Sequence, residues 1–326
     1  MAAESEMVED QILSDVHVTA IRSGISRGYE KGLQSLSRFV VNYQAGERRE
    51  ERMKEESKKD SQDDINAMTD IDGDLVLTRK HKAKDVITIA HAMQTNLQDV
   101  GMQVWMGCLL LCNFILNNCP RFENSTVLEL GGGTGLASVV MATTAKYVIC
   151  TDTGKDVLEM CERNVIANKD IYNRRGHELE RLVIVRALDW MDSDIQTDES
   201  IPFSWSQKDL QLLSDVDVII AADVVYSNDL TDAFFTKLLT LMKTGKQKTC
   251  FITTERRLNF TMTDLDVTCK EYDHFREWLK RLETTSDYRI KQLDSDVPQF
   301  IQYPQSRYLE LWQIQQISSA HLVPTS

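Results

Sequence analysis

Residues 127–136 read VLELGGGTGL, a short apolar stretch that runs directly into four glycines within five positions. An apolar stretch of this length predicts a buried strand, and the helix-compatible residues 136–142 that follow predict the start of a helix. Glycine reaches positive φ without steric cost and has no Cβ, so a ligand can approach the main chain and the unpaired N–H groups at the helix start. The stretch therefore predicts a strand, a tight turn and a helix arranged around a ligand.

The spacing of the glycines indicates what kind of ligand this is. A dinucleotide-binding turn follows G-x-G-x-x-G, whereas Gly131, Gly133 and Gly135 follow G-x-G-x-G. This spacing favours a nucleoside without a pyrophosphate. The next apolar stretch, residues 147–152, ends in Asp152, and a carboxylate at a strand tip can accept both ribose hydroxyls. Two alternatives are open at this point. One is a Rossmann dehydrogenase, and the other is a turn whose glycines are structural and hold no cofactor.

Together the two stretches resemble the first two motifs of the class I methyltransferases, which implies S-adenosylmethionine as the cofactor. The resemblance also implies a Rossmann-like α/β fold, with a doubly wound, mostly parallel seven-stranded sheet and a C-terminal antiparallel hairpin. Periodicity predicts the remaining strands at residues 182–188, 216–222, 248–254, 288–293 and 307–314. It predicts helices at residues 106–116, 156–168, 229–242 and 270–283.

Composition limits the classes of protein that fit. The chain has 326 residues, 42% hydrophobic and 27% charged, with no apolar stretch near the ~18 residues of a membrane span and no secretory signal at its start. Its seven cysteines are scattered without a C-x-x-C pair, which indicates free thiols in a reducing compartment and no metal site. The net charge of −13 disfavours direct binding to nucleic acid.

We divide the chain into three parts. Residues 1–74 are predicted to form a partly disordered N-terminal extension, because residues 47–64 are an almost uninterrupted charged run. Residues 75–317 form the methyltransferase domain, which begins with a predicted strand pair at 74–79 and 85–91, and residues 318–326 form a tail. The basic cluster at residues 79–84 is either a nuclear import signal or solvated surface.

The fourth predicted strand of the sheet is followed directly by Asp223-Val-Val-Tyr226. This Asp-x-x-Tyr motif, with Trp105 before the glycine turn and Asp189-Trp190 after the third strand, resembles the signature of the seven-β-strand protein-lysine methyltransferases. The resemblance covers about residues 85–315. It implies methyl transfer from S-adenosylmethionine to the ε-amine of lysine in one or a few specific proteins, such as a chaperone or a nuclear nucleic-acid-binding protein. We expect a monomer with no membrane partner, located in the nucleus, the cytoplasm or both.

The same resemblance implies the residues of the site. Tyr226 is expected to line the lysine channel, and Asp223 to orient the incoming amine, neither acting as an essential base. The alternative is that both residues are structural, with Asp223 as the N-cap of a helix and Tyr226 packed in the core. The expected cofactor-binding residues are Trp105, Glu129, Gly131, Gly132, Gly133, Asp152, Asp189, Trp190 and Ala222.

Three of these cofactor residues have particular expected roles. At the tip of the third strand, Asp189 can accept a hydrogen bond from the exocyclic amine of adenine, and Trp190 can cover a face of the ring. The alternative is that Asp189 is simply an acid in a turn and Trp190 a tryptophan packed in the core. Glu129 is expected to brace the glycine turn or to reach the methionine ammonium.

Two other classes of function use the same fold. A methyltransferase for nucleic acids or small molecules is one, although the prolines of the Asn/Asp-Pro-Pro-Tyr signature are absent from Asp223-Val-Val-Tyr226. A noncatalytic binding module is the other. In the favoured reading, the N-terminal segment and a polar insertion at residues 191–213 set the substrate specificity.

Overall fold

The computed structural model describes residues 12–13, 26–29, 34–43, 85–173, 182–257, 259–261 and 266–317. The predicted strand at 74–79, the basic cluster at 79–84, the charged run at 47–64 and the tail lie outside these ranges. The strands are β1 Ile12–Leu13, β2 Ser26–Tyr29, β3 Gln34–Val41, β4 Asp85–Ala92, β5 Gln94–Thr95, β6 Thr126–Leu130, β7 Tyr147–Asp152, β8 Leu182–Ala187, β9 Val218–Ala222, β10 Thr249–Glu255, β11 Asn259–Thr261, β12 Asp266–Thr268, β13 Tyr288–Leu293 and β14 Leu309–Gln316.

After a 3-10 helix at Leu97–Met102, the α-helices are α1 Met106–Asn117, α2 Cys119–Phe122, α3 Leu136–Met141, α4 Lys155–Ala167, α5 Lys169–Asn173, α6 Gln207–Ser214, α7 Asn228–Met242 and α8 Lys270–Glu283. Helix α1 is apolar around nearly its whole surface, and ten of its residues are buried, which confirms the predicted core helix. By length and composition alone the segment Leu97–Asn117 passes as a membrane span, but 67% of its most apolar window is buried inside the protein. A core helix of a soluble domain gives the same signal.

The central sheet has seven strands in the order β13-β14-β10-β9-β6-β7-β8. Strands β10, β9, β6, β7 and β8 are parallel, and β14 pairs antiparallel with both β10 and β13. This confirms the predicted doubly wound sheet and its C-terminal hairpin. The chain moves outward from β6 through β7 to β8 and then returns to β9 on the other side of β6. The carboxyl ends of β6 and β9 therefore flank the point where the strand order reverses, which is where such sheets bind ligands.

Two buried layers cover the sheet. One is built around α1 and α3 and contains Leu109, Leu110 and Val139. The other is built around α7 and α8, where Phe235 packs against Phe275 with ring centroids 5.9 Å apart. Burial of apolar surface on both faces accounts for the nearly continuous hydrophobic sequence of the central strands.

Strand β3 lies within the segment that the sequence assigned to a partly disordered extension. It pairs antiparallel with β4, and its Phe39 and Val41 are buried in the core beside Ile87 and Ile89 of that strand. The prediction that this part of the chain stands apart from the main fold is therefore wrong for residues 34–43. Two of the inward positions of β3 carry serine, which hid the apolar alternation typical of a half-buried strand.

The segment 191–213 has a mostly exposed first part, residues 191–202, as expected of a polar insertion, and a buried aromatic residue after it. Trp205 is only 1% exposed, and its indole N–H donates a hydrogen bond to the Ala187 carbonyl at the end of β8, at 2.7 Å. Ser206 then begins α6 with a reciprocal capping box to Asp209, whose carboxylate also pairs with Arg186 at 2.7 Å. The later part of the segment, from Trp205 onward, is thus packed against the end of β8 and contributes to the core.

Candidate functional site

The glycine turn after β6 folds back onto the neighbouring strand β7. The Gly132 N–H donates to the Thr151 carbonyl at 2.8 Å, and the Gly133 N–H donates to Oδ2 of Asp152 at 2.7 Å. Gly131 and Gly133 have φ values of 73° and 52°, a region that disfavours residues with a Cβ. The acid at the tip of β7 thus holds the turn in place by its side chain.

Gly132 is required for a different reason, namely space. A Cβ on Gly132 would lie 2.2 Å from Sγ of Cys150, which is fully buried under the turn. We expect Gly132→Ala to lower the free energy of unfolding by about 1–3 kcal/mol, measured by urea denaturation, because the added methyl group overpacks the core. The same substitution introduced into a Cys150→Ala background should cost clearly less. An equal loss of free energy of unfolding in both backgrounds would show that the contact with Cys150 is not what excludes a side chain at position 132.

Glu129 lies beneath the turn and is 1% exposed. It accepts a hydrogen bond from the Ser138 hydroxyl of α3, and the Cys150 thiol lies 3.6 Å away. Burial raises the pKa of Glu129 to about 7. The contact with Ser138 joins β6 to α3 across the turn, which favours the bracing role over contact with the methionine ammonium.

This buried carboxyl group makes stability depend on pH. The unfolded chain releases the proton near the ordinary pKa of 4.5, whereas the native protein holds it up to about 7. Glu129 therefore weakens the native state progressively as the pH rises between these values, by about 3 kcal/mol in all at 1.36 kcal/mol per pKa unit.

Glu129→Gln removes this pH-dependent loss. The free energy of unfolding of the variant minus that of the unsubstituted protein should therefore be larger at pH 8 than at pH 5, by an amount of that order. Urea denaturation at the two pH values tests this. Glu159→Gln on the surface of α4 serves as the control, because it should show no such difference. If the effect of Glu129→Gln is the same at both pH values, the carboxyl group is ionised throughout.

A cavity of about 430 Å³ opens at the carboxyl ends of the central strands. Its size suits a small organic ligand. All eleven residues expected at the site line it: Trp105, Glu129, Gly131, Gly132, Gly133, Asp152, Asp189, Trp190, Ala222, Asp223 and Tyr226. Burial, together with the negative charge of Asp152, raises the pKa of Tyr226 to about 12. The cavity therefore joins the acid at the tip of β7 to the tyrosine after β9.

The end of the cavity near β7 and β8 fits an adenosine group. Each carboxylate oxygen of Asp152 accepts one backbone N–H, from Gly133 and from Thr153, and each has a second lone pair that can accept a ribose hydroxyl. The Trp190 ring lies against Gly131, where a Cβ would be 3.2 Å from the indole. Among the described residues, the Trp190 indole N–H has no hydrogen-bond partner although it is buried. A flat ring surface, an unsatisfied donor and a ribose acceptor are features that a bound nucleoside would use.

Asp223 occupies an unusual position after β9. Its φ is 53°, and its Oδ2 accepts the Gly107 N–H of α1 at 2.6 Å while its Oδ1 accepts the Glu255 N–H of β10 at 3.0 Å. A Cβ on Gly107 would lie 2.6 Å from the same carboxylate, so the glycine permits the close approach. Asp223 thus accepts a hydrogen bond at the N-terminus of α1 while it also lines the cavity, although it is not the N-cap residue of that helix or of α7, where Trp105 and Ser227 have that position. Its role towards an incoming amine stays a prediction.

The cavity lining also contains Arg257 and Ile12, which the sequence did not assign to the site. The Trp105 indole N–H donates to the Val100 carbonyl at 3.0 Å, which fixes the ring just before α1. The guanidinium of Arg257 lies over that ring, 4.3 Å from its centroid. Ile12 of β1 also lines the cavity, and its carbonyl accepts a hydrogen bond from the Gln103 amide at 2.9 Å. The sequence signal for Arg257 was its place two residues beyond a strand end, whereas Ile12 left no local signal.

The strand order, the glycine turn, the acid on β7 and the cavity at the strand ends are those of the class I methyltransferase fold. The chain belongs to the lysine methyltransferase family, whose sequence model matches residues 82–266.

Among curated proteins, this chain is similar to human methyltransferase-like protein 22, with 44% identity over 236 residues, and to the mouse protein of the same name, with 45% identity over 235 residues. These alignments cover 71% and 70% of this chain, and only 57% and 59% of the human and mouse proteins. Protein N-lysine methyltransferase METTL21A of Xenopus tropicalis is 29% identical over 182 residues, which cover 51% of this chain and 71% of that protein. The resemblance predicted from the Asp-x-x-Tyr motif is thereby confirmed.

Proposed function

We propose that this protein transfers a methyl group from S-adenosylmethionine to the ε-amine of lysine in one or a few protein substrates. The observation that carries the proposal is the single cavity that contains both the nucleoside-binding features around Asp152 and the hydroxyl of Tyr226. The family match and the name of the Xenopus relative, a protein N-lysine methyltransferase, support lysine as the acceptor. The cofactor would supply a methyl group bonded to a sulfonium sulfur, which leaves as a neutral thioether when the amine takes the methyl group.

The protein's own task is to deliver a neutral amine in the right orientation. A lysine with a pKa of ~10.4 is almost wholly protonated at pH 7, and the proton occupies the lone pair that must attack the methyl group. Burial beside Tyr226 and Trp105 disfavours the charged ammonium. Because the pKa of Tyr226 is raised to about 12, this residue stays a phenol that can accept a hydrogen bond from the amine without acting as a base. The proton can leave to water before the amine is enclosed.

Charge and packing suggest the kind of substrate. The net charge of −13 favours a basic, lysine-rich surface, such as that of a nuclear nucleic-acid-binding protein, or a chaperone as the alternative. The segment 191–213, which lies beside the end of β8, and the N-terminal segment are the parts proposed to select it. Action as a monomer in the nucleus, the cytoplasm or both belongs to the same proposal.

The test is to incubate the purified chain with S-adenosylmethionine carrying a tritiated methyl group and with cell extract. The proposal predicts label in one or a few protein bands, released on acid hydrolysis as methyl-lysine. Label in RNA or in small metabolites would instead identify a methyltransferase for other acceptors. A complete lack of label, with cofactor binding intact, would favour a noncatalytic module.

Tyr226→Phe separates the acceptor side of the cavity from the cofactor side. The substitution keeps the ring and removes the hydroxyl, so turnover on the labelled protein band should fall by about tenfold or more, the value of one hydrogen bond in the transition state. The dissociation constant for S-adenosylmethionine, measured by calorimetry, should stay within about twofold of its original value. Tyr147→Phe at the start of β7 is the matched control and should change neither quantity. Equal losses of turnover and cofactor affinity would place Tyr226 in the cofactor site.

A further inference from the structure

Strand β4 lies at the edge of its sheet, where the described strands follow the order β2-β3-β4. The main-chain groups at such an edge need partners from outside the sheet. Asn168, directly after α4, accepts the Thr88 N–H at 2.9 Å and donates to the Thr88 carbonyl at 2.8 Å. Asn164 of α4 does the same for Ala90, at 2.8 Å in both directions. The two side-chain amides thus pair with β4 as a neighbouring strand would.

Asn164 differs from Asn168 in its third hydrogen bond. Nδ2 of Asn164 also donates to the Thr134 carbonyl in the glycine turn, at 2.9 Å, whereas Nδ2 of Asn168 donates to the main-chain carbonyl of Asn164, at 2.7 Å. Because Asn164 binds one N–H and two carbonyls, its amide oxygen and nitrogen cannot exchange places. The residue is only 2% exposed, so the loss of its side chain would leave buried main-chain groups without a partner.

The glycine turn depends on contacts of this kind for its shape. Gly133 and Gly135, on either side of Thr134, have φ values of 52° and 80°, and glycine has little conformational preference of its own. Two hydrogen bonds hold the turn to β7, from the N–H groups of Gly132 and Gly133. Asn164 adds a bond from the side of α4, to a residue that itself lines the cavity.

From these contacts we propose that Asn164 is a positioning residue, which keeps the glycine turn in its ligand-binding shape by fixing Thr134 to β4. The proposal rests on the proposed function in one respect, the choice of S-adenosylmethionine as the ligand. Strand β3 of the N-terminal segment pairs with β4 over its whole length. Asn164 therefore also connects that segment with the cofactor site, so that the seating of β3 and β4 affects cofactor affinity.

Asn164→Ala and Asn168→Ala form a matched pair that tests this role. Each variant leaves the N–H and the carbonyl of one β4 residue without a partner, so both should be less stable than the unsubstituted protein in urea. Only Asn164→Ala also frees the Thr134 carbonyl. We expect the dissociation constant for S-adenosylmethionine, measured by calorimetry, to rise by about fivefold or more in Asn164→Ala and to stay within about twofold in Asn168→Ala.

Turnover separates positioning of the cofactor turn from a general loss of structure. Asn164 is not among the residues that line the cavity, so it does not take part in the methyl transfer itself. With the labelled protein band as acceptor, Asn164→Ala should raise KM for S-adenosylmethionine, while kcat at saturating cofactor stays within about twofold. A fall in kcat with KM unchanged would contradict the proposal.

An isosteric pair, Asn164→Asp and Asn168→Asp, replaces the alanine pair if Asn164→Ala does not fold. Aspartate keeps the acceptor for the β4 N–H, but a carboxylate has no N–H to donate to Thr134, so the same difference in dissociation constant is expected. Equal dissociation constants within a pair would overturn the role of Asn164 and leave the proposed function standing. Failure of the unsubstituted protein to bind S-adenosylmethionine would overturn the proposed function and this role with it.

Discussion

Asp152→Ala is expected to weaken binding of S-adenosylmethionine by about 100-fold or more, because the carboxylate is the predicted partner of both ribose hydroxyls and each charged hydrogen bond contributes about 1.5–3 kcal/mol. The same substitution removes the acceptor that holds the Gly133 N–H, so the glycine turn also loses its side-chain support. Both effects act on the ligand site, and the sheet beneath it keeps its packing. The measurement is calorimetric titration of the folded variant with the cofactor.

A control from the same region shows whether the effect is local. Asp156 in the first turn of α4 is exposed and is not among the residues that line the cavity. Asp156→Ala should therefore bind S-adenosylmethionine as the unsubstituted protein does. If Asp152→Ala also kept its affinity while remaining folded, the assignment of the ribose to β7 would be wrong.

Asp223→Ala is expected to lower the free energy of unfolding by about 2–4 kcal/mol, because it leaves the Gly107 and Glu255 N–H groups without their acceptor and removes a negative charge from the N-terminus of α1. Alanine also tolerates the φ of 53° less well than aspartate does. Urea denaturation of both proteins gives this quantity.

The replacement Asp223→Asn separates the hydrogen bonds from the backbone strain. Asparagine accepts positive φ and retains one acceptor oxygen, so we expect an intermediate loss of stability. Asp229→Ala, in the exposed first turn of α7, should cost less than about 1 kcal/mol. Stability equal to that of the unsubstituted protein in Asp223→Ala would show that the carboxylate does not hold these elements together, and would return it to the acceptor role alone.

The regular part of the fold could be predicted because its residues carry strong local patterns. Helix α8 has the predicted bounds, Lys270–Glu283, since its apolar residues recur at helical spacing with charges between them. Strand β13 has its predicted bounds, Tyr288–Leu293, and helix α7 begins one residue before the predicted start. The carboxyl ends of parallel strands meet at one edge of the sheet, and the strand-end residues Asp152 and Asp223 accordingly line the same cavity.

The remainder depended on contacts between residues far apart in the chain. Strand β3 was missed because Ser35 and Ser37 face inward, where Ser37 lies 2.7 Å from the ring of His91. The hydrogen bonds of Asp223 reach a glycine 116 positions away, and no periodic pattern records such a contact. The same holds for Arg257 over Trp105. Sequence spacing indicated which residues reach the cavity, and packing decided what each of them touches.

The most direct test of the central claim is a crystal structure of the full chain with S-adenosylhomocysteine. The account predicts the ribose on Asp152, the adenine between Asp189 and Trp190, and the sulfur facing Tyr226 within the same cavity. A ligand bound elsewhere, or one whose sulfur is separated from Tyr226 by the sheet or by packed side chains, would contradict the account.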